Sequence, residues 1–198
     1  EKAVAQGDPN AMFNLAHLYR DGKGVAQSHK KAAELFTMAA DQGHASAMNN
    51  LGLMYQKGEG VAQSYHQAFE LYTVAAGQEQ VNAIFALGCL YRDGQGVAKS
   101  YQKAVELFTM AAEKGEVGAM TSLGISYIQG QGVAQSNELA REWWTTAANK
   151  GHAGALNNLR RLDEQEGESR KNKLTSVCCS SCNKPQPSGH TFRKCMGC

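Results

Sequence analysis

The chain has 198 residues, a formal net charge of +2 and 42% hydrophobic residues, with only three prolines. That composition is ordinary for a globular chain, and no run approaches the roughly 18 apolar residues needed to span a bilayer, which argues against a helical membrane protein. Charge is uneven: from Arg170 onward there are six basic residues and no acidic one, leaving residues 1–169 at −4. Six charges spread over the tail make a weak footprint for nucleic acid, so a solvated basic segment is expected there.

In chain order, Glu1–Gly7 reads as the end of a helix, with Ala3, Gln6 and Gly7 in step with Ala39, Gln42 and Gly43. The N-terminus is therefore expected to cut into a repeat. Asp8-Pro9 then predicts an N-cap and first helical residue. Positions 11, 12, 15, 16 and 19 share one arc of a helix running from about 9 to 20. A Gly pair at 22/24 closes it, supplying a left-handed C-cap. Gly-Val-Ala-Gln-Ser follows at 24–28 and returns at 60–64 and 132–136, with Gly-Val-Ala-Lys-Ser at 96–100. Every interval is 36 residues, the mark of one supersecondary unit copied and stacked.

Each copy therefore predicts two helices. First helices fall near 9–20, 45–56, 81–92, 117–128 and 153–162, and second helices near 29–41, 65–77, 101–113 and 137–149. Ser28, Ser64, Ser100 and Ser136 cap the second helices. Ala32, Leu35, Phe36, Ala39 and Ala40 are the core of the first of these, with Trp143 and Trp144 as heavier residues in the last. Closure falls on Gly43, Gly115 and Gly151, while the second full unit has Glu79 at that position. Position 16 becomes Gly52, Gly88 and Gly124, small residues that let a neighbouring helix approach.

Beyond Leu162 the pattern fails. Residues 163–176 are polar and charged without apolar periodicity and read as a linker. Five cysteines then cluster in the last 21 residues, and Cys179-x-x-Cys182 and Cys195-x-x-Cys198 are separated by 12. Two such pairs suit tetrahedral zinc, because a two-residue spacer turns both thiolates toward one ion. Disulfides compete with that reading, but the clustering and the single cysteine in the repeats favour metal and a reducing setting.

The repeat residues resemble the Sel1-like repeat family. Leu51-Gly52, Tyr55, Gly58, Gly60 and Val61 fit its first half, and Lys103-Ala104, Glu106, Ala111-Ala112 and Gly115 its second. The resemblance covers residues 1–162 and implies an all-α, right-handed solenoid of helical hairpins related to tetratricopeptide repeats, with an adaptor role in protein complexes. Residues 177–198 resemble the first half of a MYND-type zinc finger, Cys179-Ser-Ser-Cys182 followed by Arg193-Lys194-Cys195-Met-Gly-Cys198. That resemblance implies zinc on Cys179, Cys182, Cys195 and Cys198 in the intact protein, with the remaining ligands beyond Cys198. A RING-like or single-zinc module is the alternative, with His190 as a possible further ligand.

Other chemistry is weakly signalled. Glu34, Glu70, Glu106 and Glu142 form a ladder with one carboxylate per copy. Stacked copies see similar surroundings and do not separate two pKa values as acid–base catalysis requires. Cys89 has no His–acid partner in its copy and reads as a small apolar residue. His44 and His152 share one position just before a first helix and suit a capping role.

The leading reading is a non-enzymatic scaffold that binds other proteins. A ubiquitin-ligase-associated adaptor with a RING-like tail is the alternative, a Sel1-like hydrolase a weaker one, and base reading is disfavoured by the acidic repeats. The expected setting is intracellular, cytoplasmic or nuclear, and the apparently cut N-terminus leaves a leader unaddressed. The expected binding surface is a stripe on the first helices whose content changes between copies. It comprises Phe13, His17 and Arg20; Asn49, Leu53 and Gln56; Phe85, Cys89 and Arg92; and Thr121, Ile125 and Ile128. Packing favours the same residue in every copy, whereas a bound peptide or helix in a concave groove does not repeat every 36 residues.

Overall fold

The computed structural model describes Val4 and residues 6–182, with side chains described as far as Ser169. Among the described residues nine long helices follow in order: α1 Pro9–Asp21, α2 His29–Asp41, α3 Ala45–Lys57, α4 Tyr65–Gly77, α5 Val81–Asp93, α6 Tyr101–Glu113, α7 Val117–Gln129, α8 Asn137–Asn149 and α9 Ala153–Cys182. Among the described residues there is no strand. Odd and even helices pair as hairpins and each hairpin packs on the next, giving an all-helical solenoid.

Local chemistry fixes both ends of each helix. Asp8 accepts a hydrogen bond from the Asn10 amide, and Ser28, Ser64, Ser100 and Ser136 each accept one from the third residue of the following helix. His44 and His152 also cap, their Nδ1 atoms accepting from the Ala47 and Ala155 amides at 3.1 and 3.2 Å. First helices stop at Gly22, Gly58, Gly94 and Gly130, each left-handed with φ of 64–72°.

The second glycine of each loop has a different task. A Cβ on Gly60, Gly96 or Gly132 would overlap the backbone of His29, Tyr65 or Tyr101 at the start of the preceding second helix. The loop is thereby pressed against the neighbouring unit. Among the described residues Gly24 meets nothing within 4 Å.

Each hairpin closes on one aromatic ring. Phe36, Tyr72, Phe108 and Trp144, spaced by 36, are all at most 5% exposed. Opposite them on the first helices stand Ala16, Gly52, Gly88 and Gly124. A Cβ on Gly52 or Gly88 would lie 2.7 Å from the Tyr72 or Phe108 ring, and one on Gly124 would collide with Trp144. The small residue thus admits a side chain of its own hairpin, not simply a closer helix backbone. Removing a buried ring of this kind costs about 3–5 kcal/mol.

Two departures from the sequence pattern are informative. Glu79, where other copies have Gly, still adopts φ 59°, the one non-Gly residue with positive φ among those described. The final helix does not stop near 162, and the stretch expected as a linker, 163–176, is its continuation. The C-cap glycine position falls here on Glu166, and the second loop glycine on Glu168, so nothing ends the helix. Arg141 on α8 holds this extension through Asp163 at 2.6 Å and Glu166 at 3.1 Å.

Candidate functional site

The twelve stripe residues lie on α1, α3, α5 and α7, and all are half-buried. They are therefore not a purely solvent-facing stripe. Phe13 stacks on His44 with centroids 4.7 Å apart and meets His17 edge-on at 4.5 Å. His17 in turn meets the Phe36 ring at 5.2 Å. Burial, aided by Arg20, lowers the His17 pKa, so the imidazole is neutral near pH 7. Phe85 leans on Phe108 at 5.7 Å. The changing residues rest on the aromatic ring of each hairpin, so their variation is partly a packing matter.

The polar members are tied down as well. Arg20 donates to Asp21 at 2.8 Å and to Asn50 on the next first helix at 3.0 Å. Arg92 grips Asp93 through two hydrogen bonds of 2.8 and 2.9 Å. Gln56 accepts from the Tyr72 hydroxyl at 3.1 Å. Burial pushes the Cys89 thiol up to about 11, so it is neither a thiolate nor a nucleophile near neutral pH.

At the last copy the stripe opens into a cavity of about 230 Å³. Ile125, Ile128, Trp144 and Leu162 form its apolar floor, and Gln129, Asn158 and Arg161 stand on its rim. Arg161 is one period after Ile125, so it is a fifth-copy member of the stripe that the sequence reading did not include. The 36-residue period alone marks it, because the fifth copy keeps the first helix and loses the loop motif.

The Glu34, Glu70, Glu106 and Glu142 ladder is exposed throughout, consistent with a solvated face. Cys179 and Cys182 lie in the last turn of α9, whereas Cys195 and Cys198 lie outside the described residues. His190 lies outside them too. Among the described residues no three His, Cys, Asp or Glu side chains are grouped to hold a metal ion. Nor is any described helix long and apolar enough to cross a membrane.

Comparison with known proteins agrees with the fold. The family model described as Sel1 repeat matches residues 9–44, 45–79, 81–116 and 117–152. The structure of c5321, a protective antigen of uropathogenic Escherichia coli strains with an SLR fold, is 35% identical over 80% of this chain, with a TM-score of 0.77. A Sel1 repeat protein from Oxalobacter formigenes is 35% identical over 79% of it, with a TM-score of 0.71. A third structure, a Sel1 repeat protein from Klebsiella pneumoniae, shares the fold at 24% identity over 82% of this chain and 81% of its own, with a TM-score of 0.54. This chain covers 34% and 64% of the first two proteins' own lengths. No curated protein matches. Four successive matched repeats show that the chain belongs to the Sel1 repeat family.

Proposed function

We propose that this protein is a non-enzymatic scaffold that holds an extended peptide or helix of another protein along the first-helix stripe. Sel1-repeat proteins act as protein-interaction scaffolds, and the finer reading places the ligand in the concave groove of a right-handed superhelix. The observation that carries it is the stripe itself: twelve half-buried residues on four successive first helices, with Ile125 and Ile128 lining a cavity beside Trp144. Half-exposed apolar side chains beside fixed polar ones are what a peptide-binding surface requires.

Because Phe85 packs on Phe108, truncating it would disturb folding, so Leu53 and Arg92 are the better probes. Peptides selected from a random library on the wild-type protein should lose at least about ten-fold in affinity against a Leu53→Ser/Arg92→Ala variant. The melting temperature should stay nearly unchanged. Peptides that bind the variant as well as the wild type would place the site elsewhere.

We propose further that Cys179, Cys182, Cys195 and Cys198 hold zinc in the intact protein. The two-residue spacers of Cys179-x-x-Cys182 and Cys195-x-x-Cys198 support this reading. Thiolate sulfur favours zinc over harder cations. Metal analysis of the reduced full-length protein should find about one or two zinc ions per chain, falling on Cys179→Ser or Cys195→Ser. Finding none would end this reading.

A further inference from the structure

A groove on the face of α3 roughly opposite the stripe has a chemistry that the repeats themselves explain. Lys31 places its ammonium over the Tyr19 ring at 5.1 Å from the centroid, and Lys103 does the same over Tyr91 at 5.1 Å. Each lysine is 12 residues after its tyrosine. In the copy between them the tyrosine is Tyr55 and the residue 12 later is Gln67, so no lysine of that copy covers the ring. A cavity of about 350 Å³ lies there instead, lined by Tyr55 and Gln67, with Leu71 and Val74 in its wall and Asp41 and Glu70 as its charged residues.

The charge differs with the residue. Asp41, Gln67 and Glu70 correspond one period later to Gly77, Lys103 and Glu106. The Tyr55 groove therefore carries −2 where its neighbour is neutral. An aromatic face attracts an ammonium through its quadrupole, and paired carboxylates add to that attraction. The apolar wall suits the methylene stem of the same side chain.

We propose that this groove binds a lysine side chain presented by a partner protein, its ammonium over Tyr55 as Lys31 and Lys103 lie over Tyr19 and Tyr91. The site is separate from the stripe, so it stands whether or not a peptide binds there.

The test follows the Tyr ring resonances of the full chain by NMR during titration with a capped Ala-Ala-Lys-Ala-Ala peptide. Tyr55 should shift saturably, at least about five-fold more than Tyr19 or Tyr91. The response should fall about five-fold or more with norleucine in place of lysine, and weaken several-fold in Asp41→Asn. Gln67→Lys should abolish it, and that variant should fold because the adjacent copies already have lysine there. An equal response to the norleucine peptide would reduce the groove to an apolar surface and overturn the proposal. So would persistence of the response in Gln67→Lys, or its absence up to the solubility limit.

Discussion

The α4–α5 and α8–α9 junctions occupy the same place in the repeat, both with a buried apolar core, and differ in chemistry at one equivalent pair of positions. At the first, Phe69 meets Tyr91 edge-on with centroids 5.6 Å apart. Two periods later those positions are Arg141 and Asp163, joined by an ion pair with Glu166 as second acceptor. Inside the array an apolar contact links one hairpin to the next. At the last junction Ala155 and Leu162 keep the apolar contact with α8, but this position is ionic and partly exposed, and the helix beyond it runs on where glutamates replace the loop glycines. A repeat array thus needs no separate domain to change character. A few substitutions at repeat positions turn a stacking surface into a polar one, as a solenoid's terminal units require.

The loop glycines give the sharpest way to break this comparison. Gly96→Ala must accept both a positive φ and a clash with the Tyr65 backbone, and should cost about 3 kcal/mol or more. Gly24→Ala has the same φ but open space, and should cost only about 1 kcal/mol. Equal losses in denaturant unfolding would show that the glycine serves the turn alone and does not lock neighbouring units.

Truncating the two junctions should separate them next. Phe69→Ala should cost about 2 kcal/mol, since it is half-buried. Arg141→Ala should cost less than about 1 kcal/mol, and that smaller loss should shrink further in 1 M salt. A salt-independent loss at Arg141 as large as that at Phe69 would contradict an ionic last junction.

The run-on helix can be cut. Glu166→Gly restores the C-cap residue of the other copies and should lower helicity in circular dichroism, as the segment beyond it frays. Glu166→Ala loses the same ion pair but keeps a strong helix former, and should leave helicity nearly unchanged. If both variants lose it alike, the Arg141 contacts hold the segment helical, and the missing glycine does not.

The smallest expected effect is a pH dependence in the first hairpin. Burial lowers the His17 pKa in the folded state, so the unfolded chain binds the proton more readily. Its contribution to stability is complete above the unfolded value near 6.5 and is lost as pH falls toward the folded one. Stability between pH 7 and 5 should therefore decline less in His17→Leu, a residue the second copy already carries as Leu53. An unchanged slope would remove His17 from the titrating groups that matter.

The repeats were legible because their punctuation is chemical. Glycine at a left-handed C-cap and serine at an N-cap recur every 36 residues, and the expected helices from 9 to 149 agree with the structure to within a residue or two at each end. Residues 163–176 escaped for a physical reason. Periodicity detects a helix by the face it buries, and this one is held by Arg141 and helix propensity with little apolar surface of its own. The stripe positions lie on the first helices as their spacing implies, but their half-burial was not visible. Phe13 and Phe85 look free to vary until Phe36 and Phe108 are placed beneath them. Arg161 was hidden because the fifth copy keeps its helix and loses its motif. The Lys31, Gln67, Lys103 series could have been read from the sequence, but it acquires meaning only once the tyrosine rings are in place.

The central claim is that the first-helix stripe is the protein-binding surface. It is tested most directly by mapping backbone amide shifts on adding a peptide selected against the protein. The predicted changes run along α1, α3, α5 and α7 at the stripe positions and extend to Ile125, Ile128 and Arg161. Changes confined to the second helices, around the exposed Met38, Val74 and Met110, would contradict the account.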